Sequence, residues 1–205
     1  WLDYLYIMSQ NILLKNLARF IELTPEEIEY LLSVLQVKKL RKRQYLLQEG
    51  DVCRFQGFVV KGCLRVYEAD EKGAEHIVQF APEDWWVGDL YSFYTGEKSQ
   101  FNIEALEDSE LYVFDNKNLE DLYAKIPKME RYFRLLMQNA LIALSRRVLS
   151  SMSKSAAERY SDFIQRYPQI EQRVPSHQIA SYLGIKPESL SRIRRQQSQK
   201  KLLYV

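Results

Sequence analysis

Residues Val174–Arg195 read VPSHQIASYLGIKPESLSRIRR, and this stretch decides how the rest of the chain is read. Ile179, Ala180 and Leu183 recur at helical spacing and give a first short helix one apolar face, with the small Ala180 permitting close approach. Gly184 supplies the left-handed backbone that ends such a helix, and Ile185 plugs the turn. Pro187 suits the first turn of a second helix, where its missing N–H leaves no bond unmade. Leu190 and Ile193 then point back at the first helix, and Glu188, Ser189, Ser191, Arg192 and Arg195 take the opposite face. Two short helices joined at a glycine turn, the second basic and bearing hydroxyls, have the pattern of a helix-turn-helix reader of double-stranded DNA. On that reading Glu188, Ser189, Ser191 and Arg192 meet base edges, while Arg194, Arg195, Lys200 and Lys201 attract phosphates. Ser176, as the cap of the first helix, and His177 beside it are expected to add backbone contacts.

Charge supports a polyanionic partner. Residues 140–205 hold 12 Lys/Arg against 4 Asp/Glu, and residues 1–139 hold 17 against 23, so the formal net charge of +2 is a cancellation. The basic third gains counterion release on binding a polyanion, and the acidic remainder resists being wrapped by it. Its cations are mixed into the helical pattern and form no polybasic run beside a broad apolar helix face, which argues against a membrane partner. No segment has the roughly 18 uncharged apolar residues that a membrane span needs. The opening WLDYLYIMSQNILLKNL is apolar but lacks a positive leader and a small-residue cleavage site, and the absence of an initiator Met is read as trimming. Cys53 and Cys63 belong to no CxxC or four-ligand set, which is the usage of a reduced, cytoplasmic protein. With His76 and His177 they have no ligand spacing, so neither a metal nor a cofactor is expected. There is no Walker loop, GxGxxG, HExxH or GxSxG, and the expectation is a protein that is not an enzyme.

The organisation changes twice. Residues 13–37 read as two helical pieces, the second opened by a capping box, Thr24 with Glu27, ahead of Ile28, Leu31, Leu32 and Leu35. From about residue 40 to 114 the apolar period is two. Phe58 and Val60, then Leu64 and Val66, flank Lys61-Gly62; turns fall at residues 70–73 and 82–84, with strands at His76–Phe80 and Leu111–Phe114. Short strands at this spacing indicate a roll or sandwich of antiparallel sheets whose core the aromatics fill. After Asn118 a long helix is expected, with Pro127 near its start and Ile126, Met129, Phe133, Leu136, Ala140, Leu144 and Val148 on one face. Met129, Phe133, Leu136, Ala140 and Leu144 are expected to form the interface of a homodimer that presents two readers to a palindromic site; packing of the same stripe on the chain's own roll is the alternative. A helix over Ser155–Tyr167 braces the reader. The expected domains are 1–117 (amino-terminal helices and roll), 118–150 (dimerisation helix) and 151–205 (reader), an α+β chain.

The segments RQYLLQEGD (Arg43–Asp51), FVVKGCLRVY (Phe58–Tyr67) and FAPEDWWVGDL (Phe80–Leu90), together with IASYLGIKPESLSRIRR, carry a resemblance that covers nearly the whole chain. It resembles the bacterial Crp/Fnr transcription regulators, the cyclic-AMP-receptor-like and fumarate-nitrate-reduction-like proteins, in the version found in the Bacteroidetes lineage. The resemblance implies a cyclic-nucleotide-binding-like antiparallel β-roll, a long dimerisation helix and a carboxy-terminal helix-turn-helix domain. It admits RNA polymerase and a small-molecule effector as further partners. Where the family commonly carries Arg, Glu and Arg on its recognition helix, this chain has Pro187, Glu188 and Arg192, so its preferred half-site should differ. In the family's nucleotide pocket a Gly-Glu pair is followed by Arg and Ser or Thr; the matching text here is Gly88-Asp89 and Ser99-Gln100, with Lys98 adjacent. Gly88, Asp89, Lys98, Ser99 and Gln100 are therefore the candidate effector segment, and the missing arginine implies a regulator that cyclic AMP does not control. The amino-terminal cysteine cluster of iron-sulfur members is absent. Only QQSQKKLLYV follows Arg195, so the wing is expected to be reduced or absent. The alternative function is an interaction or ligand-sensing module on the same fold without affinity for DNA.

Overall fold

The computed structural model describes residues 11–202, with the side chains of Ser198, Lys200, Lys201 and Leu202 outside that description. Two helices open it, each with a side-chain cap. Asn11 accepts from the Leu13 and Leu14 N–H groups at the start of α1 (Ile12–Leu17). At the start of α2 (Pro25–Val34), Thr24 accepts from the Glu27 N–H, and Glu27 accepts from the Thr24 N–H at 2.7 Å. This reciprocal pair is the capping box that the Thr24/Glu27 spacing predicts.

Eight strands follow: β1 (Gln36–Leu40), β2 (Tyr45–Leu47), β3 (Phe55–Lys61), β4 (Leu64–Ala69), β5 (Glu75–Ala81), β6 (Trp86–Val87), β7 (Asn102–Ala105) and β8 (Ser109–Asp115), with α3 (Leu90–Thr95) between β6 and β7. They form two four-stranded sheets in the orders β1-β8-β3-β6 and β2-β7-β4-β5. The pairing of β3 with β8, Phe58 opposite Tyr112, and of β4 with β7, Val66 opposite Ile103, is antiparallel. Along β4 the alternation puts Leu64 and Val66 into the main apolar core with Phe58, Ile103, Leu111 and Phe114. The other face of β4 carries Arg65, which is buried and bonds Glu104 directly across the ladder through Nε (2.9 Å) and Nη2 (2.6 Å). That guanidinium also lies 4.2 Å from the centre of the Tyr67 ring.

The chain divides into two compact units, one of Trp1–Glu68 with Phe80–Ala140, the other of Ala69–Gln79 with Leu141–Val205. In the first, a buried polar chain joins three elements. The Trp86 indole donates to the Tyr132 hydroxyl at 2.7 Å, Tyr132 donates to Asn16 Oδ1 at 2.6 Å, and Asn16 donates to Asp84 at 2.8 Å. Arg19 closes it on Asp84 at 2.6 Å. Burial pushes the Tyr132 hydroxyl well above its ordinary pKa, so it stays a donor.

Residues 118–150 do not form one helix. Asp115 caps α4 (Asn116–Lys125), and the long helix α5 (Lys128–Ser153) begins only after Ile126-Pro127. Pro127 has no N–H to continue α4, and the residue before a proline is pushed to extended backbone; Ile126 sits at φ −129°, ψ 78°. The interface expected on α5 also changes. Met129 (0% exposed) and Phe133 (9%) are in the roll's own core, Phe133 edge-on to Trp86 at 5.0 Å, and Leu136 packs against that core. Ala140 and Leu144 are exposed. The uncovered apolar stripe is Met137, Leu141, Leu144, Val148 and Met152, with Leu141 64% and Met152 81% exposed. At about 100° per residue it lies roughly a quarter turn around α5 from the Met129–Phe133–Leu136 face. The long apolar series holds two faces, and the roll takes the first.

The second unit adds α6 (Ala156–Arg166), α7 (Ile170–Arg173), α8 (Ser176–Leu183) and α9 (Pro187–Leu202). Ser155 caps α6 in a second capping box with Glu158. No strand follows α9 among the described residues; the helix runs on to Leu202, and residues 203–205 lie outside them. No described helix is long and apolar enough to cross a membrane.

Candidate nucleic-acid interface

Helices α8 and α9 meet at Gly184, whose φ of 64° is the left-handed conformation that a side chain disfavours. Its N–H bonds back to Ser181 O, and the Ile185 N–H to Ala180 O, which ends α8 in one turn. Ile179, Ala180 and Leu183 on α8 are buried, as are Leu190 and Ile193 on α9, so the inward faces are those the spacing predicts. Tyr160 and Phe163 of α6 are buried in the same unit.

The opposite face of α9 is open. Glu188, Ser191, Arg192 and Arg195 are exposed and Ser189 is half-buried. Glu188, Arg192 and Arg195 share one face at spacings of four and three. Ser191 donates to Pro187 O at 3.1 Å, so its hydroxyl is partly committed to the helix. Gln196 and Gln199, one turn beyond Arg192 and Arg195, are exposed as well, and the sequence reading gives them no role.

Two backbone-contact assignments change. Arg194 is not a free cation: its Nε donates to the Tyr160 hydroxyl at 3.0 Å, its Nη1 to the Ser176 hydroxyl, and it lies 3.4 Å from Glu171. Tyr160 donates to the same Glu171, and burial followed by that carboxylate raises the Tyr160 pKa. Arg194 thus ties α9 to α6, α7 and α8, because at one residue past Ile193 it still points along the packed side of the helix. Ser176 does not cap α8; the N-cap is Pro175, which makes no side-chain bond, and the Ser176 hydroxyl is held by Arg194. His177 is exposed at the amino-terminal turn of α8. Arg195 is exposed, and the side chains of Lys200 and Lys201 lie outside the described residues.

In the roll, the candidate effector segment is brought together only in part. Asp89 is buried, caps α3 by accepting from the Ser92 N–H at 3.3 Å, and accepts from the Ser99 hydroxyl at 2.7 Å. Ser99 is itself buried, while Lys98 and Gln100 are exposed. Gly88 is set by packing: a Cβ there would lie 2.6 Å from the Gln56 side-chain oxygen. The carboxylate is satisfied by a serine hydroxyl where the resemblance leads one to look for a cation. No group of three or more metal-ligating side chains occurs among the described residues.

Comparison with known proteins agrees with this layout. Residues 37–125 match the family model of the cyclic nucleotide-binding domain. Over 201 residues the chain is 27% identical to the fumarate and nitrate reduction regulatory protein of Vibrio cholerae, covering 91% of this chain and 79% of that one. It is 28% identical to the regulatory protein HlyX of Actinobacillus pleuropneumoniae, with 91% and 82% covered. Among solved structures, FixK2 from Bradyrhizobium japonicum superposes with a TM-score of 0.72 at 19% identity, over 82% of this chain and 86% of that one, which establishes likeness of fold. The chain thus carries a cyclic nucleotide-binding domain over residues 37–125, followed by a long helix and a helix-turn-helix unit, and over most of its length it is similar to transcription regulators of the Crp/Fnr kind.

Proposed function

We propose that this regulator reads a palindromic duplex site as a homodimer and that cyclic AMP does not control it. The observation that carries the DNA reading is the open face of α9, where Glu188, Arg192 and Arg195 stand out from a helix held rigidly by Leu190, Ile193 and Arg194. A helix so presented fits a major groove: a carboxylate accepts from cytosine N4, and a guanidinium bonds guanine O6 and N7. The dimer rests on the exposed Met137–Met152 stripe of α5, because two copies joined there would offer two readers to half-sites about one helical turn apart. Such a protein works where the chromosome is, in the cytoplasm.

Residue roles on α9 divide by chemistry. Arg192→Ala should lower discrimination between the operator and a scrambled duplex by about 1–3 kcal/mol. Arg195→Ala should weaken both duplexes alike and reduce the slope of log affinity against log salt by about one unit. Titrations of each variant on both duplexes across a salt series check this; an Arg192 variant with full discrimination removes that residue from base reading.

The Asp89–Ser99 pair supports the reading that cyclic AMP does not control the protein. A buried phosphate beside a buried carboxylate, with a serine where a cation is needed, keeps its desolvation penalty. Calorimetry with cyclic AMP should show no micromolar binding, and operator affinity should be unchanged by it. Specific micromolar binding that Asp89→Ala abolishes contradicts this reading.

A further inference from the structure

We infer that the second unit carries a binding groove for an amphipathic anion, a carboxylate or phosphate head on an apolar body, built where the end of α5 meets α6 and α8. The groove has a volume of about 770 Å³, within the roughly 300–1,000 Å³ of small-molecule sites.

Its charge is one-sided. Arg146, Arg147, Lys154, Arg159 and Arg166 line it, with Asp162 as the one lining carboxylate. Asp162 is engaged by Lys154 at 2.6 Å. Arg147 is committed as well, donating to Val78 O and lying 4.4 Å from the Tyr182 ring centre. Arg159 is different. Its Nη1 donates to Lys154 O at 2.9 Å, at the end of α5, yet its Nε is buried and has no partner among the described residues. The edge left over, Nε with Nη2, is the one that grips a carboxylate or phosphate through two parallel bonds. A buried donor on a cation is stable in that state only at a cost, which an external anion removes.

The rest of the wall mixes apolar side chains with His76, Ser150, Ser151, Ser153 and Ser181. Its exposed apolar side chains include Leu144, Val148 and Leu149, the first two shared with the uncovered stripe of α5, and the buried Phe163 and Tyr167 also line it. Inorganic phosphate would satisfy the guanidinium and leave the exposed Leu144, Val148 and Leu149 wet, and a sugar-phosphate backbone has no apolar body to cover them. An anion with a hydrocarbon or aromatic body satisfies both. Gly184, the turn between α8 and α9, also lines the groove, so an occupant touches the element that orients α9. An effect of the occupant on operator affinity rests on the DNA reading above; the binding itself does not.

The test is calorimetry on the full chain with decanoate, 1-decanol, acetate and inorganic phosphate. Decanoate should bind one site per chain, with decanol at least about tenfold weaker for lack of the charge-assisted bonds, and acetate and phosphate silent. Arg159→Gln should weaken decanoate about tenfold or more, and Arg159→Lys, which keeps the charge but not the fork, should restore it only in part. Since Arg159 also holds the end of α5, the exposed Arg146→Gln is the second variant, expected to weaken decanoate without shifting the melting temperature. Equal binding of decanoate and decanol, or decanoate affinity unchanged in both Arg159→Gln and Arg146→Gln, overturns the proposal. It is equally overturned if decanoate does not bind while the variants lose affinity for scrambled DNA, which would make the groove a DNA-backbone contact. Loss of operator binding with decanoate binding intact would fault the DNA reading alone.

Discussion

A Leu141→Glu, Val148→Glu double variant should be a folded monomer that has lost most of its affinity for a palindromic site. Both side chains are more than half exposed on the uncovered stripe of α5, so charges there cost the isolated chain little. In a dimer the same carboxylates would be buried against apolar partners and against each other, at a cost of several kcal/mol. Losing the second reader removes one of two half-site contacts, so palindrome affinity should fall about 100-fold or more, toward that of a single half-site. Light scattering and an operator titration on the same sample check both parts. A variant that remains dimeric would move the interface off this stripe. Phe133→Asp should behave in the opposite way: Phe133 is packed inside the roll, and its replacement should unfold the first unit before it affects assembly.

Tyr132→Phe should destabilise the first unit by about 2–3 kcal/mol, although it removes a single oxygen. That oxygen accepts from Trp86 and donates to Asn16, and Asn16 continues to Asp84 and Arg19. Its loss takes a bond from the indole and leaves the buried Asn16 carbonyl short of its donor. Urea unfolding should show a lower midpoint at unchanged slope. A change below about 0.5 kcal/mol would mean that water or rearrangement satisfies the network, and that it does not fasten α1 to α5.

Much of the fold can be read because its signals are local. The Thr24/Glu27 box, the strands flanking Lys61-Gly62, the turn at 70–73 and the α8–Gly184–α9 pattern depend on residues a few positions apart, and all are present. The misplaced parts depend on long-range neighbours. Two apolar series wind around α5, and nothing local tells which one the roll covers; that is decided by Trp86, 47 positions before Phe133. Arg194 looks like any cation on a basic helix, and only Tyr160, Ser176 and Glu171, from three other segments, take it out of the DNA-facing set. Ser176 has a capping residue type, but Pro175 occupies the capping position. The Asp89–Ser99 bond joins residues ten apart across the short helix α3, and the sequence does not state how the chain returns from it. The break at Ile126-Pro127 has a local signal in Pro127, but that signal is ambiguous, since a proline near the start of one helix can equally mark the end of another, and the apolar series runs through Ile126.

The central claim is that α9 reads sequence, and selection of sites from a random duplex pool by the purified chain tests it most directly. The expected result is enrichment of a palindrome with half-sites about one helical turn apart, and a shift or loss of the preferred bases when the selection is repeated with Arg192→Ala. A pool that stays random, or an unaltered motif with the Arg192 variant, would contradict it.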